Sequence, residues 1–167
     1  GYRMQDAYSL RCVAQMMGGT KRAIKEAYIS VTEELNSCSD NPVIYPTGDG
    51  DGVALMGGNF DRAYLCIHMD ALCIAMTHLG KLVERRTDRL TNRHFSDYPP
   101  FLVKNPGLNS GFMITQYTSA GLVAEMKVLS HPVSVDSIPT SANQEDPVSF
   151  GFYASRKACE VAKKLEY

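Results

Sequence analysis

The chain of 167 residues predicts an all-α fold of long helices with one small β-hairpin. Apolar residues recur at three- and four-residue steps over long stretches, which is the helical period. One run, 65–76, is apolar on nearly every face. Turn-forming Gly, Pro, Asp and Asn gather between these stretches rather than within them.

From about residue 4 to 35, Val13, Met16, Met17, Ile24, Ala27, Tyr28, Val31 and Leu35 keep the helical period. Gly18-Gly19 is its weak point, read as a kink or a close helix approach. Ser39-Asp40-Asn41-Pro42 is turn chemistry. Short apolar runs at 43–45 and 53–56 flank Gly48-Asp49-Gly50-Asp51-Gly52 and read as the hairpin. A second long helix is expected over 61–93. Its apolar centre, interrupted by Asp70, is shorter than the roughly 20 residues that span a bilayer, so no membrane partner is expected. A helix apolar all round must be enclosed by other helices. The covering is expected from other chains, making the protein a homo-oligomer. A third helix is expected over 109–129, with Phe112, Met113, Tyr117, Ala120, Val123 and Met126 inward. Asp146-Pro147 reads as the start of a fourth, acidic cap followed by Pro.

Composition excludes some classes of function. With 44% hydrophobic and 21% charged residues and a net charge of −1, there is no basic stripe for nucleic acid. The basic residues at 81–93 alternate with Glu84 and Asp88 and read as a salt-bridged helix face. The five cysteines form no C-x-x-C pair, which suits a reduced, cytoplasmic setting. The four histidines lack ligand spacing, so no metal site is expected. No signal peptide is recognisable, and helical pattern runs close to both ends. The expectation is a single fragment, 1–167, of a longer protein.

Three clusters carry polar groups that the helices do not need. In a helix, Gln5, Tyr8 and Arg11 would sweep one face, with a guanidinium suited to bidentate carboxylate recognition and a phenol able to donate or transfer a proton. Gly57-Gly58-Asn59-Phe60 precedes a helix, without the pattern of a nucleotide-phosphate loop. Ser141-Ala142-Asn143-Gln144-Glu145-Asp146 reads equally as a capping segment or a site. No serine-nucleophile elbow is present.

Taken in order, Gln-Asp-Ala-Tyr-Ser-Leu-Arg-Cys (5–12), Ser-Asp-Asn-Pro (39–42), Gly-Gly-Asn-Phe (57–60), Pro-Pro-Phe-Leu-Val (99–103), Asn-Ser-Gly-Phe-Met-Ile (109–114) and the stretch 130–146 ending in Asn-Gln-Glu-Asp resemble the aromatic amino acid lyase and aminomutase family, the histidine ammonia-lyases in particular. The resemblance implies a fumarase/aspartase-like long-helix bundle. It implies a homotetramer whose active sites combine several subunits. It also implies elimination of ammonia, here from L-histidine to urocanate, by a 4-methylideneimidazol-5-one (MIO) group formed from an internal Ala-Ser-Gly. On this chain Arg11 would clamp the substrate carboxylate, and Tyr8 would sit beside the prosthetic group and the amine. Gln5 would bond in the same pocket, Phe60 would pack near the group, and Glu145 would contact amine or imidazole.

The chain departs from the pattern in three places. It contains no Ala-Ser-Gly, so the MIO-bearing N-terminal half is expected elsewhere and this chain alone is expected to be inactive. Asp61-Arg62 stands where the family usually has His and a small residue, and Pro147 stands where histidine ammonia-lyases often have His. These keep open a tyrosine or phenylalanine ammonia-lyase, a 2,3-aminomutase, or a non-catalytic helical assembly module.

Overall fold

The structure is a computed structural model that describes residues 3–167. Its helices are α1 (Tyr8–Arg11), α2 (Val13–Leu35), α3 (Ala63–Thr91), α4 (Met113–Leu129) and α5 (Gly151–Glu166). Strands β1 (Val43–Pro46) and β2 (Gly52–Leu55) form an antiparallel hairpin with Val43 opposite Leu55 and Pro46 opposite Gly52. The all-α architecture with one small hairpin is therefore as expected.

Helix α3 is the axis, and α2, α4 and α5 all pack on it. Pairings run in opposite senses along α2, where Tyr64 Oη donates to Glu34 Oε2 at 2.7 Å and Thr20 Oγ1 to the Ala75 carbonyl at 3.5 Å. Helix α4 is also antiparallel: Gln116 Nε2 donates to Glu84 Oε1 at 2.8 Å, and Thr77 Oγ1 to the Met126 carbonyl at 3.2 Å. A Cβ on Gly80 would lie 3.2 Å from the Met126 side chain, so the missing side chain lets α4 approach closely. Helix α5 runs parallel to α3 and presents Ala154, Ala158 and Val161 at helical steps, each at most 5% exposed. The core joins these to Ala27, Cys66, Met69, Cys73, Met76, Met126 and Val133.

These residues are small or flexible, and polar contacts complete the packing. Asp70 and Lys157 pair at 2.9 Å with their side chains 4% and 5% exposed. Asp70 Oδ2 also accepts the Val133 and Ser134 amides at 2.8 and 2.7 Å, and Lys157 Nζ donates to the His131 carbonyl. One carboxylate and one ammonium thus fix α3, α5 and the chain leaving α4. Burial would push the Asp70 carboxyl up, but the Ser134 amide and Lys157 outweigh it, and the net displacement is downward from 3.8.

Several expectations are corrected. The first helix does not run from residue 4: it breaks at Cys12, where α1 ends and α2 begins. Gly18-Gly19 does not interrupt α2, which is continuous through both, and no residue elsewhere among those described lies within 4 Å of a Cβ placed on either. The third helix begins at Met113 rather than 109, and Phe112 and Tyr117 are more than half exposed and Ala120 is exposed. Helix α5 begins at Gly151 rather than at Asp146-Pro147. The run 65–76 is not left to other chains alone: Cys66, Met69, Cys73 and Met76 are buried within this chain, while Ile67 and Ile74 remain about half exposed. By length and composition α3 could cross a bilayer, yet its inward face carries Asp70 and Glu84, both paired within the chain.

Lys157→Met in the full-length protein should cost about 3 kcal/mol in urea unfolding, because it leaves a buried carboxylate uncompensated. Since the folded Asp70 carboxyl lies below 3.8, the stability it contributes is complete above that pH and lost only as pH falls through the lower folded value. A Lys157→Met loss below about 1 kcal/mol would refute the clamp.

Candidate active site

Gln5, Tyr8 and Arg11 do converge, though not on one helical face. Tyr8 opens α1, Arg11 closes it, and Gln5 lies in the preceding bend. Arg11 folds back: its Nε donates to the Asp6 carbonyl at 3.0 Å and its Nη2 to Gln5 Oε1 at 3.4 Å. Its Cζ stands 4.5 Å from the Tyr8 ring centroid, a cation–π distance. These contacts orient the guanidinium while leaving Nη1 without a partner among the described residues, so the Nη1/Nη2 end can take a carboxylate. Tyr8 is 65% exposed, and its hydroxyl has no partner among the described residues. The backbone beneath is anchored where Arg86 Nε donates to the Ser9 carbonyl at 2.8 Å. Tyr8 borders a cleft of about 370 Å³ shared with Met16, His78, Lys81 and Arg85.

Phe60 and Glu145 are not in that cleft. Phe60, 51% exposed, lies just before α3. The turn 57–60 is held by Asn41 Oδ1 accepting the Gly57 amide at 3.0 Å and by Asn59 Nδ2 donating to the Cys38 carbonyl at 3.3 Å. Glu145 closes a tight loop. Thr140 N donates to the Glu145 carbonyl at 3.0 Å, and Thr140 Oγ1 donates to the Glu145 carboxylate. Inside the loop Ser141, Ala142 and Asn143 all take left-handed φ values, 49°, 55° and 67°, a strain that the closing bonds must hold. The Thr140 hydroxyl, then that of Ser141, holds the Glu145 carboxyl below its ordinary 4.5, so it is a carboxylate at neutral pH.

Ser149, four residues after Glu145, accepts the Arg62 amide at 2.9 Å. Glu145 thus lies four residues before a segment bound to the N-terminal end of α3, which Phe60 also adjoins. Tyr8 packs near Leu82, nineteen residues along α3 from Ala63, or roughly 30 Å at about 1.5 Å per residue. One chain thus holds two separated groups: an amide, phenol and guanidinium at one end, a phenyl ring and a carboxylate at the other. Sequence reasoning missed Arg62, Asp70 and Lys157, whose partners lie 87 residues away for both the Arg62–Ser149 and Asp70–Lys157 contacts. The one local signal was an Asp within an apolar helix. No group of His, Cys, Asp and Glu among the described residues could hold a metal.

Comparison with known proteins bears on this arrangement. A histidine ammonia-lyase of Caldanaerobacter subterraneus is 52% identical over 163 residues, and one of Deinococcus radiodurans 51% over 164, each alignment covering 98% of this chain. They cover 32% and 31% of those proteins, so the chain spans about a third of the length of the curated relatives it matches. The crystal structure of histidine ammonia-lyase from Trypanosoma cruzi is similar with a TM-score of 0.89 at 48% identity, over 97% of this chain and 32% of that one. The Pantoea agglomerans phenylalanine aminomutase also gives 0.89, at 35% identity, over 99% and 32%. The aromatic amino acid lyase pattern matches residues 1–167, and with the fold and motif order in agreement, the chain belongs to the aromatic amino acid lyase family.

Proposed function

We propose that this chain is part of an ammonia-lyase that releases ammonia from an aromatic amino acid, L-histidine going to urocanate. The carrying observation is Arg11 held by Asp6 and Gln5 over the Tyr8 ring, with its Nη1 without a partner among the described residues. Relatives at about 50% identity named histidine ammonia-lyase support the substrate. Arg11 binds the carboxylate, Gln5 fixes the guanidinium, and the Tyr8 hydroxyl accepts or returns a proton beside the amine. Glu145, ionised, meets the ammonium or the imidazole, and Phe60 packs against the ring.

The family's MIO group supplies an electrophile that promotes loss of the amine. These 167 residues contain no Ala-Ser-Gly, so the chain contributes neighbours of that group and is inactive alone. An exposed phenol and an exposed phenyl ring fit such a role, because each presents a face to a group carried by other residues. The roughly 30 Å along α3 between the two groups suits sites completed by other subunits, consistent with a homotetramer. The reading also takes 1–167 as one fragment of the helical region of a cytoplasmic enzyme. The phenylalanine aminomutase of the same fold, with Asp61-Arg62 and Pro147 near the second group, favours a tyrosine or phenylalanine lyase or aminomutase as the second reading.

The full-length protein should release ammonia from L-histidine. Consumption of tyrosine or phenylalanine instead reassigns the substrate, and turnover of no amino acid leaves a non-catalytic assembly module. Arg11→Met should raise KM about 100-fold with a smaller change in kcat. Tyr8→Phe should lower kcat by about 100-fold or more. Because the Glu145 carboxyl lies below 4.5, its acid limb in kcat/KM should fall under that pH and vanish in Glu145→Gln.

A further inference from the structure

We propose that Arg62 is a positioning residue that couples the Phe60 turn to the Glu145 segment and thereby sets the ring-and-amine end of the substrate site. This deepens the function proposed above and rests on its assignment of Phe60 and Glu145. Arg62 touches each piece of chain that meets at the N-terminal end of α3. Its Nε pairs with Glu34 Oε1 at 2.8 Å, both side chains being 16% exposed, and Glu34 Oε2 accepts the Tyr64 hydroxyl at 2.7 Å. Its Nη1 donates to the Asn59 carbonyl at 2.8 Å, next to Phe60. Its backbone amide donates to Ser149 Oγ at 2.9 Å. A Cβ on Gly151 would fall 2.3 Å from the Arg62 Cβ, so the start of α5 rests on the arginine's stem.

The turn it holds is anchored by polar bonds rather than by buried side chains. Residues 57–60 are all exposed, so no buried side chain fixes them, and polar bonds alone set their path. Two of those bonds, from Gly57 and Asn59, tie the turn to 38–41. Arg62 is the link among the described residues between this turn and the 149–151 segment. A guanidinium is suited to this, since Nε and Nη1 reach two acceptors in a fixed plane. A small residue would keep the amide bond to Ser149 but lose both side-chain links.

The test uses the full-length protein with Arg62→Met, Arg62→Lys, Phe60→Ala and the double variant Arg62→Met/Phe60→Ala. Amide hydrogen exchange should accelerate about fivefold or more in both 57–60 and 146–150 in Arg62→Met. kcat/KM should fall about tenfold, since small misplacements of a substrate wall are costly, with partial recovery in Arg62→Lys. In the Phe60→Ala background the Arg62 change should cost clearly less than tenfold, because one of the two groups it positions is already gone. Exchange unchanged in either segment, or a full tenfold loss on top of Phe60→Ala, overturns the proposal. If the wild type turns over no aromatic amino acid, the functional reading fails and takes the substrate-positioning role with it. The exchange result then decides the mechanical coupling by itself.

Discussion

A single buried ion pair holds this structure at its centre. Asp70 and Lys157 come from α3 and α5, and between them they bind the backbone of 131, 133 and 134, so three of the four long helices are joined through two side chains. Burying either charge alone is unfavourable, and the pair persists because each partner is also hydrogen-bonded to backbone. The apolar core around it is built from Cys, Met, Ala and Val, which pack closely but bury little area apiece. Polar contacts therefore fix the angles, and the small residues permit the distances.

The same division governs the candidate site. At the Tyr8 end the local chain is nearly self-sufficient, because Arg11 finds Asp6, Gln5 and the Tyr8 ring within six residues. At the Phe60 end the links are mostly long-range. Glu34, Asn59, Arg62 and Ser149 come from three widely separated stretches, and the carboxylate they help to place sits on a loop with three successive left-handed residues.

That contrast explains what could be read beforehand. The helical period located α3, and turn chemistry located the hairpin. The cluster Gln5, Tyr8 and Arg11 was visible as a cluster, although a bend and a fold-back bring it together rather than a helical face. Helix starts at 109 and 147 were misread because cap-like residues there are used for something else. Residues before α4 form a turn in which Phe112 N donates to the Phe101 carbonyl at 2.9 Å, with Gly111 at φ 50° against that same carbonyl. Residues before α5 reach across so that Val148 N meets Ser137 Oγ at 2.8 Å and Ser149 meets Arg62. In both places tertiary hydrogen bonds outweighed the local signal. The ion pair was invisible for a simpler reason: no periodicity connects residues 87 apart.

Helix α3 also acts as a spacer. It keeps the Arg11 guanidinium and the Phe60 ring roughly 30 Å apart in one chain. Within one chain the two ends are therefore too far apart to touch the same small molecule. The histidine ammonia-lyase of Trypanosoma cruzi and the phenylalanine aminomutase of Pantoea agglomerans are similar in structure over this stretch.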